Sequence, residues 1–153
     1  EAGDDLGLKL AGIEALSSLR IERGYRAWGH EIGPGETPLE AGLEFAVDFE
    51  KPFTFLGKEA LLQQKNKGIS RRLVMLTVKD SKAFPQGGEP IWWNKSLVGY
   101  TTSGTFGHTL DCGVMMGYIS CVDTKLKTML ETGFFEVEIA CHNFPANVSL
   151  NAP

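Results

Sequence analysis

The chain has 153 residues, of which 42% are hydrophobic and 22% are charged. These are ordinary values for a globular protein, and they exclude intrinsic disorder. A chain of this length buries roughly 70% of its unfolded surface, so a core is feasible without disulfides or metals. The formal net charge of −4 excludes the electrostatic footprint that nucleic acid or an anionic membrane surface requires. No apolar run approaches 18 residues, so we expect no membrane partner.

The cysteines and histidines argue against a disulfide scaffold and against a metal site. The cysteines are Cys112, Cys121 and Cys141. Because their number is odd and no C-x-x-C occurs, we expect reduced, mostly buried thiols in an intracellular compartment. The histidines are His30, His108 and His142. Each stands without a ligand partner at close spacing, so the sequence predicts no metal site.

The first half of the chain predicts helices separated by loops. Apolar residues at helical spacing, with Gly24 as the stop, predict a helix over about 5–23. Residues 29–37 hold three glycines and a proline and predict a loop. Thr37-Pro38 is a helix-start signal, and the short helix is expected to give way to a strand at Leu43–Phe49. A second helix is predicted over about Lys58–Lys67. The connection between the predicted strand and this second helix contains three phenylalanines that are expected to enter the core: Phe49, Phe53 and Phe55.

From Arg71 onward the apolar period changes to two, which is typical of strands. The predicted strands are Arg72–Val78, Pro90–Trp93, Leu97–Thr102, Val114–Cys121, Phe134–Cys141 and Ala146–Leu150. Six short strands in about 80 residues indicate a small closed barrel or a sandwich, and we adopt the barrel. The fold class is therefore α+β, with a partial αβ subdomain over 1–68 and a small six-stranded antiparallel β-barrel over 69–153.

Arg20 and the aromatics that follow it are the candidate binding residues. An arginine at a helix end, followed by Tyr25 and Trp28, can stack on a planar heterocycle and pair with its polar edge or with a carboxylate. Spacing alone slightly favours the simpler interpretation, in which Arg20 is an exposed helix-end cation and Trp28 is a core aromatic. Both interpretations stay open on the residues alone.

Five motifs in register resemble the aminomethyltransferase family, which includes the glycine-cleavage T-protein and the C-terminal halves of sarcosine and dimethylglycine dehydrogenases. The motifs are Leu19-Arg20-Ile21-Glu22 with Gly24, Trp28-Gly29, Thr37-Pro38-Leu39-Glu40-Ala41-Gly42-Leu43, Phe55-Leu56-Gly57-Lys58-Glu59-Ala60-Leu61 and Thr102-Ser103-Gly104-Thr105-Phe106. The variant at 25–28 is most similar to the sarcosine and dimethylglycine dehydrogenase branch, or to the pyruvate dehydrogenase phosphatase regulatory branch.

The resemblance implies a tetrahydrofolate site. It assigns Arg20, Tyr25 and Trp28 to the folate pocket, and Ser103 and Thr105 to the barrel loop that faces the cleft. It assigns no catalytic residue to this chain, because the family's acidic catalytic position lies upstream of the Arg20 helix. We expect the chain to be a piece of a longer protein, with FAD bound by a preceding part, and we expect no turnover from the piece alone.

The leading hypothesis for the parent is an FAD-linked sarcosine or dimethylglycine dehydrogenase. Such an enzyme passes a one-carbon unit from an oxidised N-methyl amine to tetrahydrofolate. Its partners would be folate, a small methylamine and the rest of the parent chain, in the mitochondrial matrix or, alternatively, the bacterial cytoplasm. A non-catalytic regulatory subunit of the pyruvate dehydrogenase phosphatase type is one alternative, and a glycine-cleavage aminomethyltransferase is another.

Overall fold

The structure is a computed structural model that describes residues 2–80, 82–121 and 123–153. Its second half is a closed antiparallel barrel with the strand order β1-β4-β3-β2-β5-β6, in which β6 pairs back onto β1. The strands are β1 (Arg71–Val78), β2 (Pro90–Trp93), β3 (Ser96–Gly107), β4 (Cys112–Ser120), β5 (Phe135–Ile139) and β6 (His142–Ser149). Closure removes the unpaired edges that an open sheet would expose. The predicted six-stranded barrel is confirmed.

Strand β3 extends further than its sequence pattern predicts. The pattern ends at Thr102, whereas the strand continues to Gly107. Glycines lower strand propensity, which explains the early end of the prediction. The extension holds because β3 remains paired with β4 through Gly104 opposite Met115 and Gly107 opposite Cys112. This extension carries residues 103–107 alongside the N-terminal part of the chain.

Strands β1 and β4 are buried on both faces. Inside the barrel, Val74 and Leu76 pack with Ile119 in the main core cluster. On the outer face, Leu73 and Met116 belong to a second cluster that includes Ile21 from the N-terminal part of the chain. The N-terminal part therefore covers the outside of the barrel at these strands, and the candidate site lies along this contact.

Helix α1 runs over Ile13–Glu22, which is shorter than the predicted 5–23. The first half of that prediction is wrong, since Asp4–Leu6 forms only a 3₁₀ turn. Gly7 follows with a φ of +73°, and Gly12 is extended with a φ of −78° and a ψ of 164°. Neither backbone conformation continues a helix. Apolar residues do recur at helical spacing before Ile13, but within the described residues they have no surface to pack against.

Residues 37–55 hold two further corrections. The predicted short helix is a single turn that ends at Gly42, where φ is +71°. The predicted strand over 43–49 is instead a 3₁₀ turn at Glu44–Ala46, because the described chain offers it no partner strand. Of the three phenylalanines expected in the core, Phe53 is 65% exposed and the other two are half-buried.

Two further helices complete the fold. Helix α2 (Lys58–Lys67) has the predicted bounds. Helix α3 (Asp123–Thr132) was not predicted from the sequence. Its Leu126, Met129 and Leu130 stand at helical spacing and pack against the barrel core. Each α-helix has ten residues, so among the described residues no helix has the length and apolarity that a membrane crossing needs.

Candidate functional site

The end of helix α1 fixes the position of Arg20. Gly24 adopts a φ of +65°, which allows the Tyr25 N–H to bond the Arg20 carbonyl and the Gly24 N–H to bond the Ile21 carbonyl, each at 2.9 Å. This is a Schellman motif, in which a left-handed glycine ends the helix and satisfies its last carbonyls. The turn directs the chain back across the helix end. Arg20 is 17% exposed at its side chain, so its interpretation as an exposed cation is wrong.

A fully buried carboxylate, Glu31, faces Arg20 from the loop that follows. Arg20 Nη1 lies 3.0 Å from Glu31 Oε2, and Glu31 is 0% exposed at its side chain. The backbone N–H of Ala27 donates to the same oxygen at 2.9 Å. The other oxygen, Oε1, accepts from the Thr102 hydroxyl at 2.9 Å and from the Ser103 hydroxyl. These donors match the roughly four lone-pair positions of a carboxylate.

A bulge in strand β3 brings two neighbouring hydroxyls to one carboxylate oxygen. In a regular strand, successive side chains point to opposite faces of the sheet. The register between β3 and β4 shifts between Thr101 and Ser103, and such a bulge re-aims side chains and often lies beside a functional site. Thr102 and Ser103 therefore reach Glu31 together. Ser103 Oγ also accepts from Arg20 Nη2 at 2.8 Å, which closes the network.

Tyr118 of strand β4 forms a hydrogen bond to the glycine-rich loop that carries Glu31. Its hydroxyl donates to the Glu31 backbone carbonyl at 2.9 Å. Burial raises the pKa of Tyr118 to about 12, with the Glu36 carboxylate adding to the rise and the Arg71 guanidinium opposing it. The phenol is therefore protonated at neutral pH and remains a donor. The main chain and the side chain of Glu31 are both tied to the barrel.

Four of the five predicted binding residues line one cleft of about 450 Å³. They are Arg20, Trp28, Ser103 and Thr105. Tyr25 lines a neighbouring cavity of about 670 Å³ on the other side of Arg20. Volumes of 300–1,000 Å³ are usual for small-molecule sites. The Tyr25 backbone carbonyl accepts a hydrogen bond from Arg20 Nη1 at 3.2 Å.

The aromatic side chains lie at the surface. Trp28 is 72% exposed and Tyr25 is 68% exposed, so the interpretation of Trp28 as a core aromatic is wrong. A large exposed aromatic next to a cleft is free to stack on a ligand or on another part of a larger protein. The cleft thus combines a flat apolar surface with the guanidinium and two hydroxyls.

Sequence reasoning missed Glu31 and Thr102 as members of the site. Glu31 stood in the glycine-rich loop, where a carboxylate is ordinarily solvated. Thr102 belonged to a quoted motif but received no role. No cluster of histidine, cysteine and carboxylate side chains that could hold a metal occurs within the described ranges. Cys112 and Cys121 are buried and Cys141 is exposed, and none of the three forms a disulfide within the part of the chain that the structure describes.

The fold and the site define a class: a six-stranded barrel domain with a cleft between its outer face and an N-terminal helix and loop. Residues 71–153 match the family described as the glycine cleavage T-protein C-terminal barrel domain, and residues 1–51 match the GCVT N-terminal domain. The chain therefore belongs to the glycine cleavage T-protein family, as its motifs predicted.

Known proteins place the chain among several branches of that family. Human mitochondrial dimethylglycine dehydrogenase is 39% identical over 95% of this chain and 16% of its own length. The mouse mitochondrial pyruvate dehydrogenase phosphatase regulatory subunit is 38% identical over 97% of this chain and 18% of its own length. The crystal structure of the glycine cleavage system aminomethyltransferase T from Bartonella henselae is 30% identical, with a TM-score of 0.81, over 95% of this chain and 40% of that one. The chain therefore spans less than a fifth of these two curated relatives.

Proposed function

We propose that the chain forms one wall of a tetrahydrofolate site in a larger, FAD-linked dehydrogenase of the sarcosine or dimethylglycine type. The observation that carries this proposal is the cleft that Arg20 shares with Trp28, Ser103 and Thr105. Its volume suits a bicyclic heterocycle, and the Arg20 guanidinium and the Thr105 hydroxyl can donate hydrogen bonds to the polar edge of such a ring. The residues present therefore fit the cofactor that the family implies.

The chain's residues bind and orient in this proposal. Bound tetrahydrofolate would supply the nitrogens that accept a one-carbon unit. Arg20 would hold the ring edge and Trp28 would cover a ring face, while the Ser103 hydroxyl keeps the guanidinium in place. Correct placement of a reactant alone lowers a barrier by several kcal/mol. We assign FAD, the oxidation of the amine and the catalytic acid to parts of the parent outside these residues.

The apolar face of helix α1 is the surface at which we expect the rest of the parent to pack. Ile13, Leu16 and Leu19 are 59–70% exposed, which is unusual for three large apolar residues on one helix. Leu16 also lines the cleft, so a parent segment that covers this face would narrow the site and exclude water. We assign 1–68 to the end of the folate-binding domain and 69–153 to the barrel domain.

The experiment that tests the function is carried out on the full-length protein with sarcosine or dimethylglycine. Arg20→Ala is expected to leave the amine oxidation rate unchanged and to weaken folate binding by about tenfold or more, as the loss of a charge-assisted hydrogen-bond set predicts. Carbon captured by folate should fall and free formaldehyde should rise. Arg23→Ala is the matched control, because Arg23 is an exposed arginine of the same helix end that lines only the neighbouring cavity. Unchanged folate affinity in Arg20→Ala would refute the assignment.

A regulatory subunit is the second candidate function, because the regulatory relative is almost as similar as the dehydrogenase. The purified full-length protein separates the two candidates: bound flavin with amine oxidation supports the enzyme, and their joint absence supports the regulator. We propose the mitochondrial matrix as the location of the parent, because the names of both relatives describe those proteins as mitochondrial, with the bacterial cytoplasm as the alternative. Subcellular fractionation distinguishes these compartments.

A further inference from the structure

The hydrogen bonds of Arg20 leave part of its guanidinium available. Three of its five N–H groups are used, by the Tyr25 carbonyl, the Glu31 carboxylate and the Ser103 hydroxyl. The Nε–H and the second Nη2–H have no partner among the described residues. Both nitrogens are bonded to Cζ, so the two N–H groups lie in the plane of the guanidinium and can donate to an acceptor edge of a ligand.

The charge of Arg20 is already compensated. Glu31 is fully buried at 3.0 Å from Nη1, where solvent screens the pair little. The other ionisable residues that line the cleft are Glu14 and His30, so the lining carries no excess of positive charge. A ligand carboxylate at Arg20 would compete with Glu31 and would face a second anion across the guanidinium, which disfavours it. An uncharged acceptor meets no such opposition.

Glu31 is also unable to follow Arg20 if the arginine moves. Its carboxylate is bonded to Ala27, Thr102 and Ser103 in addition to Arg20, and its carbonyl is bonded to Tyr118. Because these bonds come from the loop and from two barrel strands, they fix Glu31 relative to the barrel. Arg20, on the helix, takes its orientation from that fixed carboxylate.

We propose that Glu31 is a positioning residue: it holds Arg20 and neutralises it, so that Arg20 binds an uncharged polar edge of the ligand heterocycle rather than a carboxylate. This inference rests on the proposed function for the identity of the ligand. The geometry of the pair stands independently of it, and the two parts can be tested apart.

The first test is a double-mutant cycle in the full-length protein, with 5-formyltetrahydrofolate as the probe in calorimetry. Glu31→Gln keeps the shape of the side chain, removes its charge and is expected to weaken binding by about tenfold. Because Glu31 acts through Arg20, the double variant Arg20→Ala/Glu31→Gln should bind no more weakly than Arg20→Ala alone. A double variant whose loss equals the product of the two single losses would overturn the positioning role.

The second test identifies the part of the ligand at Arg20. A tetrahydropterin that lacks the aminobenzoyl-glutamate tail should lose the same factor in affinity as the complete folate when Arg20 is changed to alanine. A loss confined to the ligand with the carboxylate tail would overturn the neutral-edge assignment.

The third test needs no folate and also serves if Glu31→Gln lowers stability. Phenylglyoxal labelling of arginines, followed by peptide mass spectrometry, should show Arg20 reacting about fivefold faster or more in Glu31→Gln, with exposed Arg23 unchanged as the internal standard. Ser103→Ala keeps the ion pair and removes one contact of each partner, so it should give a smaller rise in the same direction. Equal Arg20 rates in wild type and both variants would overturn the positioning role, even if folate binds. Failure of the wild type to bind folate, with the labelling as expected, would instead refute the proposed function and the ligand assignment.

Discussion

A second buried carboxylate, Glu22, connects helix α1 to the barrel. It is 9% exposed, and its Oε1 accepts from the Thr109 backbone N–H at 2.8 Å. Burial by itself raises the pKa of Glu22, but hydrogen bonds from the Thr109 hydroxyl and from the Thr109 and Leu110 backbone favour the charged form and lower the pKa below its usual 4.5. Glu22 therefore stabilises the helix contact as an anion.

Glu22→Gln is expected to remove a pH-dependent part of the stability. Because the folded pKa is lowered, the stabilisation is fully present above the unfolded pKa of 4.5 and is lost as the pH falls through the lower folded value. Wild type should therefore lose more free energy of unfolding than the variant as the pH falls below about 5. Urea unfolding at several pH values measures this difference. Glu14→Gln, at an exposed position of the same helix, is the control, and parallel pH profiles of wild type and Glu22→Gln would contradict the prediction.

At the residue scale, the sequence predicted the candidate site in part. Arg20 and Trp28 were assigned because they lie in two successive motifs that resemble the family, and Ser103 and Thr105 because they lie in a third. The contact between Glu31 and Ser103 spans 72 positions and depends on the β3 bulge. Neither the register shift nor the burial of a carboxylate in a glycine-rich loop is visible in local spacing, so Glu31 could not be found this way.

At the element scale, the turn after the glycine-rich loop is held by its own side chains. Thr37 N–H donates to Glu40 Oε2 at 3.1 Å, and Glu40 N–H donates to Thr37 Oγ1 at 3.2 Å. This reciprocal pair is a capping box. Arg71 of strand β1 also reaches Glu40, at 3.3 Å, which links the turn to the barrel. The helix-start signal in the sequence was therefore real, although Gly42 ends the turn before a helix forms.

Thr37→Ala is expected to lower the free energy of unfolding by about 1 kcal/mol, as the loss of an N-cap hydroxyl does in helices. The reason is that the Glu40 N–H loses its side-chain acceptor. Chemical denaturation of wild type and variant measures the effect. Thr54→Ala removes the same hydroxyl at an exposed position and should change stability by less than about 0.5 kcal/mol. Equal losses at both positions would contradict a capping role.

Helices α1 and α2 show what amphipathic spacing leaves undetermined. Both have ten residues, but α1 buries Ser18, Ile21 and Glu22, whereas α2 has no buried residue. The spacing of apolar residues predicts that a helix can form, because the pattern suits a 3.6-residue period. It does not predict whether another surface covers that face, since this depends on residues distant in the sequence.

At the scale of the whole molecule, the barrel was the most predictable part. Its strands alternate with period two, and the reversal at Asn94 and Lys95, with φ of +47° and +67°, uses the left-handed turn that tight hairpins favour. The sheet closes into a barrel because every strand then pairs with two neighbouring strands. The N-terminal part was less predictable, because its packing is on the barrel rather than within itself.

Hydrogen exchange of the chain should follow this division. Amides of β1 are paired with β4 and β6 and lie in a strand buried on both faces, so Leu73–Val78 should exchange most slowly. The last turn of α1 should be intermediate, because Ile21 is buried and the Ser18 hydroxyl bonds the Phe106 carbonyl at 3.0 Å. The first turn of α1 and the whole of α2 should exchange fast, and α2 is the internal control for an unburied helix of equal length. Mass spectrometry of exchange time courses in dilute solution gives the order. If the first turn of α1 proved as protected as β1, the helix would be stabilised by contacts other than those it makes with the barrel. The proposed difference in stability between the barrel and the N-terminal part would then be wrong.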